Sequence, residues 1–128
     1  MSEIQGLLGM ADENDLQNLQ SEIDDFVEVR DWSQFHTPRN LAMSISIEAA
    51  ELLECIQWKE VSNEELLSNS KLKKSVEDEL ADVMIYSLRF CSSLGLDPLQ
   101  IMREKLSQNR VKYPVDKAKG KSEKYDQL

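Results

Sequence analysis

The sequence has few of the residues that build turns. Its 128 residues include 4 glycines and 3 prolines, too few for the regular turns of a β-sandwich. Hydrophobic residues make up 41% of the chain, which suffices for the core of one domain of this length. We therefore expect an all-α fold in which residues 1–128 form a single domain.

Basic residues are outnumbered by acidic ones, 15 to 24, and cysteine is scarce. The formal net charge of -9 argues against a nucleic acid polymer as partner, because phosphate contacts require a basic patch. An acidic protein can still bind a small polyphosphate when metal cations separate the like charges. Two cysteines form no disulfide framework, and no apolar run reaches transmembrane length. We expect a cytoplasmic protein without a leader or membrane anchor.

Apolar residues recur at helical spacing in four long segments. The predicted helices cover residues 15–30, 38 to about 58, about 71 to 94, and 98–113. Thr37-Pro38 and Asp97-Pro98 fit an N-cap followed by the first helical position, and Gly95 fits a C-terminal stop. A capping box at Ser62 predicts a further short helix. We expect residues 1–14 and 115–128 to be loosely ordered or to wrap around a partner.

Two of these helices carry paired acids. The second contains Glu48-Ala49-Ala50-Glu51 and the third contains Glu79-Leu80-Ala81-Asp82. Residues three apart share a helix face, so each pair presents two neighbouring carboxylates. The repulsion between two such carboxylates does not stabilise a helix. Two such pairs therefore favour a functional role over a purely structural one.

Both acid pairs adjoin apolar stripes. Glu48 points the same way as Leu41, Ile45 and Leu52, and Glu79 the same way as Leu72, Val76, Val83 and Phe90. A carboxylate near an apolar interior is costly unless it is paired or binds a metal, and neither stripe has a Lys or Arg near the acids. If the two helices pack antiparallel, four carboxylates converge. The alternative is that these are boundary acids whose side chains reach water.

The ligand types narrow the choice of metal. A di-iron bundle would place histidines on its helices, whereas the one histidine, His36, precedes the second helix. Zinc would lack its usual nitrogen and sulfur ligands. An all-carboxylate site favours Mg²⁺, with Mn²⁺ as a substitute, and Mg²⁺ often binds together with substrate phosphates.

The ordered motifs resemble a known family. They are Trp32 with Phe35-His36-Thr37-Pro38-Arg39-Asn40-Leu41, then Glu48-Ala49-Ala50-Glu51, Gln57-Trp58-Lys59, Asp78-Glu79-Leu80-Ala81-Asp82-Val83 with Tyr86, and finally Lys105, Asn109 and Lys112-Tyr113-Pro114. Over roughly residues 16–125 the sequence is similar to the all-α nucleoside triphosphate pyrophosphohydrolases of the MazG superfamily. Within that superfamily it resembles the small dCTP-pyrophosphatase-like branch.

The resemblance implies a fold, a reaction and a site. The fold would resemble a four-helix bundle in an oligomer, at least a dimer and by expectation a homotetramer. The reaction would release pyrophosphate by hydrolysis between the α- and β-phosphates, with dNTPs such as dCTP preferred, as nucleotide-pool house-cleaning. The resemblance assigns metal binding and catalysis to Glu48, Glu51, Glu79 and Asp82. It assigns substrate binding to Trp32, Phe35, His36, Trp58, Tyr86, Lys105, Asn109, Lys112 and Tyr113.

Helix periodicity agrees with part of this assignment. Trp58 follows Glu51 by two turns on the same predicted helix, and Tyr86 follows Glu79 likewise. We expect Mg²⁺ to bridge carboxylates and phosphates while a water, oriented or deprotonated by Glu51, attacks the α-phosphorus in line.

The residues alone leave other readings open. Trp32 and Trp58 also suit ordinary packing, His36 also suits capping, and Lys105, Asn109 and Lys112 also suit a solvated helix face. The whole chain also suits a non-catalytic helical module that binds nucleotide or metal, or an enzyme that removes one phosphate at a time.

Overall fold

The fold is described here from a computed structural model for residues 13–128, so the expectation for residues 1–14 lies almost wholly outside the described residues. Within that range the regular elements are all helical. They are α1 (Glu13–Glu28), α2 (Pro38–Glu54), α3 (Asn63–Ser68), α4 (Ser70–Leu94), α5 (Pro98–Lys112) and α6 (Val115–Ala118), with 3₁₀ turns at Ser33–Phe35 and Tyr125–Gln127. The all-α prediction is confirmed for the described chain.

Side-chain caps explain where the helices begin. The Oγ1 of Thr37 accepts a hydrogen bond from the backbone N–H of Asn40 at 3.2 Å, and Pro38 occupies the first turn of α2. The Oδ1 of Asp97 accepts from the N–H groups of Leu99 and Gln100. Each cap satisfies amide donors that have no carbonyl partner inside the helix.

Two helices differ from the prediction by more than one residue. Helix α1 covers Glu13–Glu28 instead of residues 15–30. We expected α2 to reach about Trp58, but it ends at Glu54. The N–H of Ile56 bonds to the carbonyl of Leu53, and that of Gln57 to Glu54. These bonds close 3₁₀-type turns that tighten the end of the helix. No glycine or proline marks this stop, so the sequence carried no signal for it.

The packing of helices α1 to α4 places the acid-bearing faces together. Helix α2 packs extensively on α4, while α1 and α3 make smaller contacts with α4. Leu41 of α2 is 1% exposed, and Ile23 and Val27 of α1 are also buried. The apolar stripes predicted for α2 and α4 are half-buried or buried, so both acid pairs lie at the interface of these two helices.

The chain divides into two compact units, one ending at Gly95 and the other covering Leu96–Leu128. Helices α1–α4 belong to the first unit, and α5 and α6 to the second. In the second unit the rings of Tyr113 and Tyr125 meet edge to face at 6.3 Å. The tail after residue 114 thus carries local structure, while a single domain over 1–128 and a tail wrapped around a partner stay predictions.

Candidate active site

Three glutamates from two helices converge at the α2–α4 interface. Glu48 and Glu51 lie one turn apart on α2, and Glu79 lies on α4. Each offers a carboxylate oxygen, and these oxygens all lie within 4.8 Å of one another. The helix packing therefore brings together three of the four acids predicted from sequence, which we call the glutamate cluster.

Two oxygens of the glutamate cluster lack a hydrogen-bond partner. Glu48 Oε2 and Glu79 Oε2 are buried, and no donor among the described residues reaches either atom. A buried carboxylate oxygen normally accepts a hydrogen bond or contacts a cation, because otherwise the loss of its hydration energy is not compensated. The orphaned oxygens therefore leave room for a proton or a metal ion.

The proximity of the carboxylates changes their acidity. Burial, followed by the nearby Glu51 and Glu79 side chains, raises the pKa of Glu48 to about 7. The pKa of Glu79 is also raised, chiefly by a hydrogen bond with Glu51 and then by burial. Without a cation the raised pKa values favour the protonated carboxyl groups. A divalent cation would favour the deprotonated carboxylates instead, because of its positive charge.

Asp82 connects the glutamate cluster to a cavity. It lies one turn beyond Glu79 on α4 and is half-buried. Asp82 is not one of the three closely spaced ligands, yet its charge contributes to the raised pKa of Glu48. Its side chain also lines the cavity. The glutamate cluster and the cavity therefore adjoin at this residue.

The cavity has a volume of about 410 Å³. It opens between α1, α4 and the segment that links α1 to α2. Its lining residues are Leu19, Glu22, Ile23, Phe26, Val27, Trp32, His36, Asp82, Ile85, Tyr86 and Arg89. The predicted substrate residues Trp32, His36 and Tyr86 are thus brought together, with apolar residues of α1 completing a wall that suits a flat ring.

An arginine supports the aromatic part of this wall. The rings of Phe26 and Trp32 meet edge to face with centroids 5.7 Å apart. The guanidinium carbon of Arg30 lies 3.7 Å from the centroid of Phe26 and 5.9 Å from that of Trp32. Arg30 also donates to the carbonyl of Phe26 at 2.9 Å. Cation–π attraction and this bond hold the two rings in a defined arrangement.

Sequence reasoning missed Arg89. This side chain is 13% exposed and donates to Asp24 Oδ1 of α1 at 2.9 Å. Its Nε donates to His36 Nδ1 at 3.0 Å, and its Nη2 lies 3.4 Å from Ser33 Oγ. The available signal was its spacing, since Arg89 falls three residues after Tyr86 and seven after Asp82 on one helix face.

Phe35 and Trp58 lie outside the cavity. Phe35 is 58% exposed, and its carbonyl accepts a hydrogen bond from the Asn40 side chain. Trp58 follows the end of α2 and is 89% exposed, beside a smaller cavity that Cys55 and Lys59 also line. The argument that Trp58 shares a helix face with Glu51 is therefore wrong, and its role in substrate binding stays a prediction.

The remaining predicted residues belong to the second unit. Lys105, Asn109 and Lys112 all lie on α5, which continues to Lys112, so they share a face as expected. Tyr113 follows directly, and the ammonium of Lys112 lies 4.9 Å from the ring centroid of Tyr125. Their contact with substrate phosphates stays a prediction.

Relatives place these observations in a family. The model of the MazG-like family matches residues 43–128. The dCTP pyrophosphatase 1 of Mus musculus is 36% identical over 117 residues and that of Homo sapiens 35% over 116, each match covering 89% of this chain. The chain spans 66% of the length of these two relatives.

A solved structure is similar as well. The crystal structure of a pyrophosphatase from Archaeoglobus fulgidus superposes with a TM-score of 0.70 at 42% sequence identity, covering 77% of this chain and 92% of that one. Among the described residues no helix combines the length and apolar character needed to cross a membrane. Because the family model matches residues 43–128, more than half of its length, this chain belongs to the MazG-like family.

Proposed function

We propose that this chain is a metal-dependent enzyme that hydrolyses nucleoside triphosphates between the α- and β-phosphates, releasing a monophosphate and pyrophosphate. The observation that carries the proposal is the pair of orphaned buried oxygens in the glutamate cluster, joined through Asp82 to a cavity with aromatic walls. Carboxylates that need a cation, next to a ring-sized cavity, suit a metal–nucleotide complex.

The glutamate cluster fits Mg²⁺. Its donors are all carboxylate oxygens, which a hard cation prefers, and it includes no histidine or cysteine. Glu48, Glu51 and Glu79 would hold the ion, with Asp82 as a fourth acid. When bound, Mg²⁺ supplies positive charge that offsets the negative charge of the phosphates, including the negative charge that develops as water attacks.

The residues of the chain divide the remaining tasks. Trp32 and Tyr86 flank the base within the cavity, and His36 supplies a polar contact there. Glu51 orients or deprotonates the attacking water, since a carboxylate beside the phosphates is suited to accept its proton. Lys105, Asn109, Lys112 and Tyr113 meet the leaving pyrophosphate, whose negative charge lysine stabilises.

The proposed substrate is a deoxynucleotide, with dCTP as the first candidate. The curated relatives of mouse and human are named dCTP pyrophosphatase 1. An activity of this kind would remove unwanted nucleotides from the precursor pool, for which a cytoplasmic location is expected. The cavity volume of about 410 Å³ accommodates a nucleoside.

An oligomer is part of the proposal. Met43 and Ile47 on α2, and Leu80 and Met84 on α4, are each between 43% and 54% exposed. Each pair is spaced by four residues and so forms an exposed apolar stripe within the first unit, made of other residues than the stripes at the α2–α4 interface. Covering such stripes with a second copy would remove apolar surface from water. A dimer at least is expected, with a tetramer as the fuller assembly.

The test is incubation of the purified protein with a panel of dNTPs and NTPs, with Mg²⁺ or with EDTA, and separation of the products by ion-exchange chromatography. The expected products are a monophosphate and pyrophosphate, formed only with the metal. Release of orthophosphate instead would overturn the proposed bond choice. Nucleotide binding without turnover of any nucleotide would identify a non-catalytic module.

Matched variants connect this activity to the cluster. Glu79→Gln removes one ligand, and turnover is expected to fall at least ~100-fold. Asp78→Asn changes the adjacent acid, which is exposed and pairs with Lys74 at 2.6 Å. Turnover should stay within about twofold of wild type in that control, because exposed ion pairs contribute little. Equal loss in both variants would argue against the cluster as the catalytic centre.

A further inference from the structure

Arg89 occupies an unusual place in the cavity wall. It is charged, yet its side chain is 13% exposed. It reaches α1 through Asp24, the linking segment through Ser33 and His36, and it belongs to α4. One side chain therefore ties together the elements that surround the cavity. A buried guanidinium normally persists only where such partners satisfy it.

The contacts of Arg89 disfavour a direct role in phosphate binding. Asp24 Oδ1 offsets its charge at 2.9 Å, and each of its three nitrogens already donates to a protein acceptor. Ser33 is itself held, since its Oγ donates to Glu28 at 2.9 Å. The donors of Arg89 are thus used by protein acceptors, and Arg89 would affect a ligand indirectly, through the residues that it positions.

The bond to His36 determines which ring nitrogen carries hydrogen. Arginine Nε can only donate, so His36 Nδ1 must present its lone pair. A neutral imidazole carries one hydrogen on its two nitrogens, and that hydrogen is then on Nε2. Protonation of Nδ1 would place two hydrogens face to face, and in keeping with this, burial and then the charge of Arg89 lower the pKa of His36. Within residues 13–128, no hydrogen bond from Nε2 competes for that donor.

We propose that Arg89 is a positioning residue that fixes His36 as a hydrogen-bond donor to the base of the nucleotide in the cavity. The proposal rests on the proposed function for its ligand. His36 lines the cavity beside Trp32 and Tyr86, so a ring bound in the cavity would lie near both the aromatic side chains and the fixed donor. The ligand class is a nucleotide whose base presents an acceptor, as the ring carbonyl of cytosine does.

The first experiment reads the ring directly. His36 is the one histidine of the chain, so two-bond ¹H–¹⁵N correlation spectra of ¹⁵N-labelled protein report its tautomer without assignment. The nucleotide-free wild type is expected to show hydrogen on Nε2. Arg89→Lys keeps a positive charge for Asp24 but cannot reach all three acceptors at once, and a mixture of tautomers is expected. An unchanged single tautomer in that variant would overturn the role of Arg89.

The second experiment measures the consequence for a ligand. With dCTP, Arg89→Lys should raise KM roughly tenfold, the factor that one lost hydrogen bond commonly produces, while kcat changes less than about twofold. With deoxyribose 5′-triphosphate, which lacks a base, KM should match that of the wild type. An equal rise for both compounds would mean that Arg89 serves the phosphates, and would overturn the proposal.

Two further measurements separate the possible failures. Lys74→Gln removes an exposed ion pair from the same helix, and should alter neither the tautomer nor KM. In Arg89→Lys combined with His36→Gln, KM should equal that of His36→Gln alone, because the arginine acts through the histidine; additive losses would contradict this. If the wild type turns over no nucleotide, the proposed function fails, while the spectra and calorimetric binding of an α,β-imido analogue of dCTP still decide the role of Arg89.

Discussion

Glu48 and Glu79 each hold a carboxylate oxygen where the folded chain provides no hydrogen-bond donor. Such an arrangement opposes folding, because a buried polar atom without a partner loses its hydration energy. It is also what a cation site requires before the cation arrives. The same side chains should therefore weaken the metal-free protein and enable its activity, which single substitutions can separate.

Glu48→Gln is expected to stabilise the metal-free protein while it abolishes function. Above its pKa of about 7, Glu48 is charged and repels Glu51 and Glu79. Glutamine has nearly the same shape and no charge, so the melting temperature in EDTA at a pH above 7 should rise. Turnover with Mg²⁺ should fall at least ~100-fold, because a ligand is lost. Calorimetric melting and product analysis measure the two effects. A lower melting temperature in EDTA would show that the cluster is not strained.

The pH dependence of stability follows from the pKa of Glu48. It is about 7 in the folded chain against an ordinary value of 4.5. Between these values the folded state binds more protons than the unfolded state, so the free energy of unfolding falls as the pH rises. The stability that protonated Glu48 contributes is fully present below pH 4.5 and is lost as the pH rises through 7.

Denaturation in EDTA at a series of pH values checks whether the free energy of unfolding falls as the pH rises. The free energy of unfolding of the wild type, minus that of Glu48→Gln, should decline from pH 4.5 to about 7 and then level off. Taking the difference removes most of the contribution of the other titrating groups. A difference that is flat with pH would contradict the raised pKa.

Among the elements, α4 contributes to both the cluster and the cavity. Glu79, Asp82, Tyr86 and Arg89 fall at successive turns of this one helix. Gly95 ends it with φ of 68°, a left-handed conformation in which other residues are strained. Apart from Gly95 itself and its two chain neighbours, no atom of the described residues lies within 4 Å of the position that a Cβ would take there. The cost of a side chain at Gly95 is therefore confined to the backbone.

Gly95→Ala should accordingly destabilise the protein by about 1 kcal/mol. Turnover at 25 °C should stay within about twofold of wild type, because the substitution lies beyond the last cavity residue of α4. Urea denaturation and steady-state kinetics give the two values. A large loss of activity in a folded Gly95→Ala variant would mean that the end of α4 has a role in catalysis.

The elements also show what the sequence could predict. Caps are local chemistry, so Thr37-Pro38, Ser62, Gly95 and Asp97-Pro98 all predicted boundaries that the structure confirms. The end of α2 at Glu54 was missed, since Cys55 to Trp58 contains no residue that excludes a helix. Periodicity identified the acids that converge, whereas Arg89 depends on contacts with residues more than fifty positions away.

For the whole molecule, the exposed apolar stripes of α2 and α4 determine the expected assembly. Ile47 is 54% exposed and Met84 is 52% exposed, although each lies within one turn of an acid-bearing position. A second copy that covered these stripes would also exclude water near the glutamate cluster. Assembly and activity should therefore be lost together if the interface is there.

Ile47→Lys tests this expectation against Ser46→Lys, which adds the same charge at the neighbouring exposed position of α2. We expect the wild type and Ser46→Lys to sediment as dimers or larger species at micromolar concentration. Ile47→Lys should sediment as a monomer, because burying a charge in an apolar contact is costly, and its turnover per chain should fall at least ~10-fold. A monomeric wild type with full activity would contradict the oligomer, and dissociation of both variants would attribute the effect to charge rather than to the stripe.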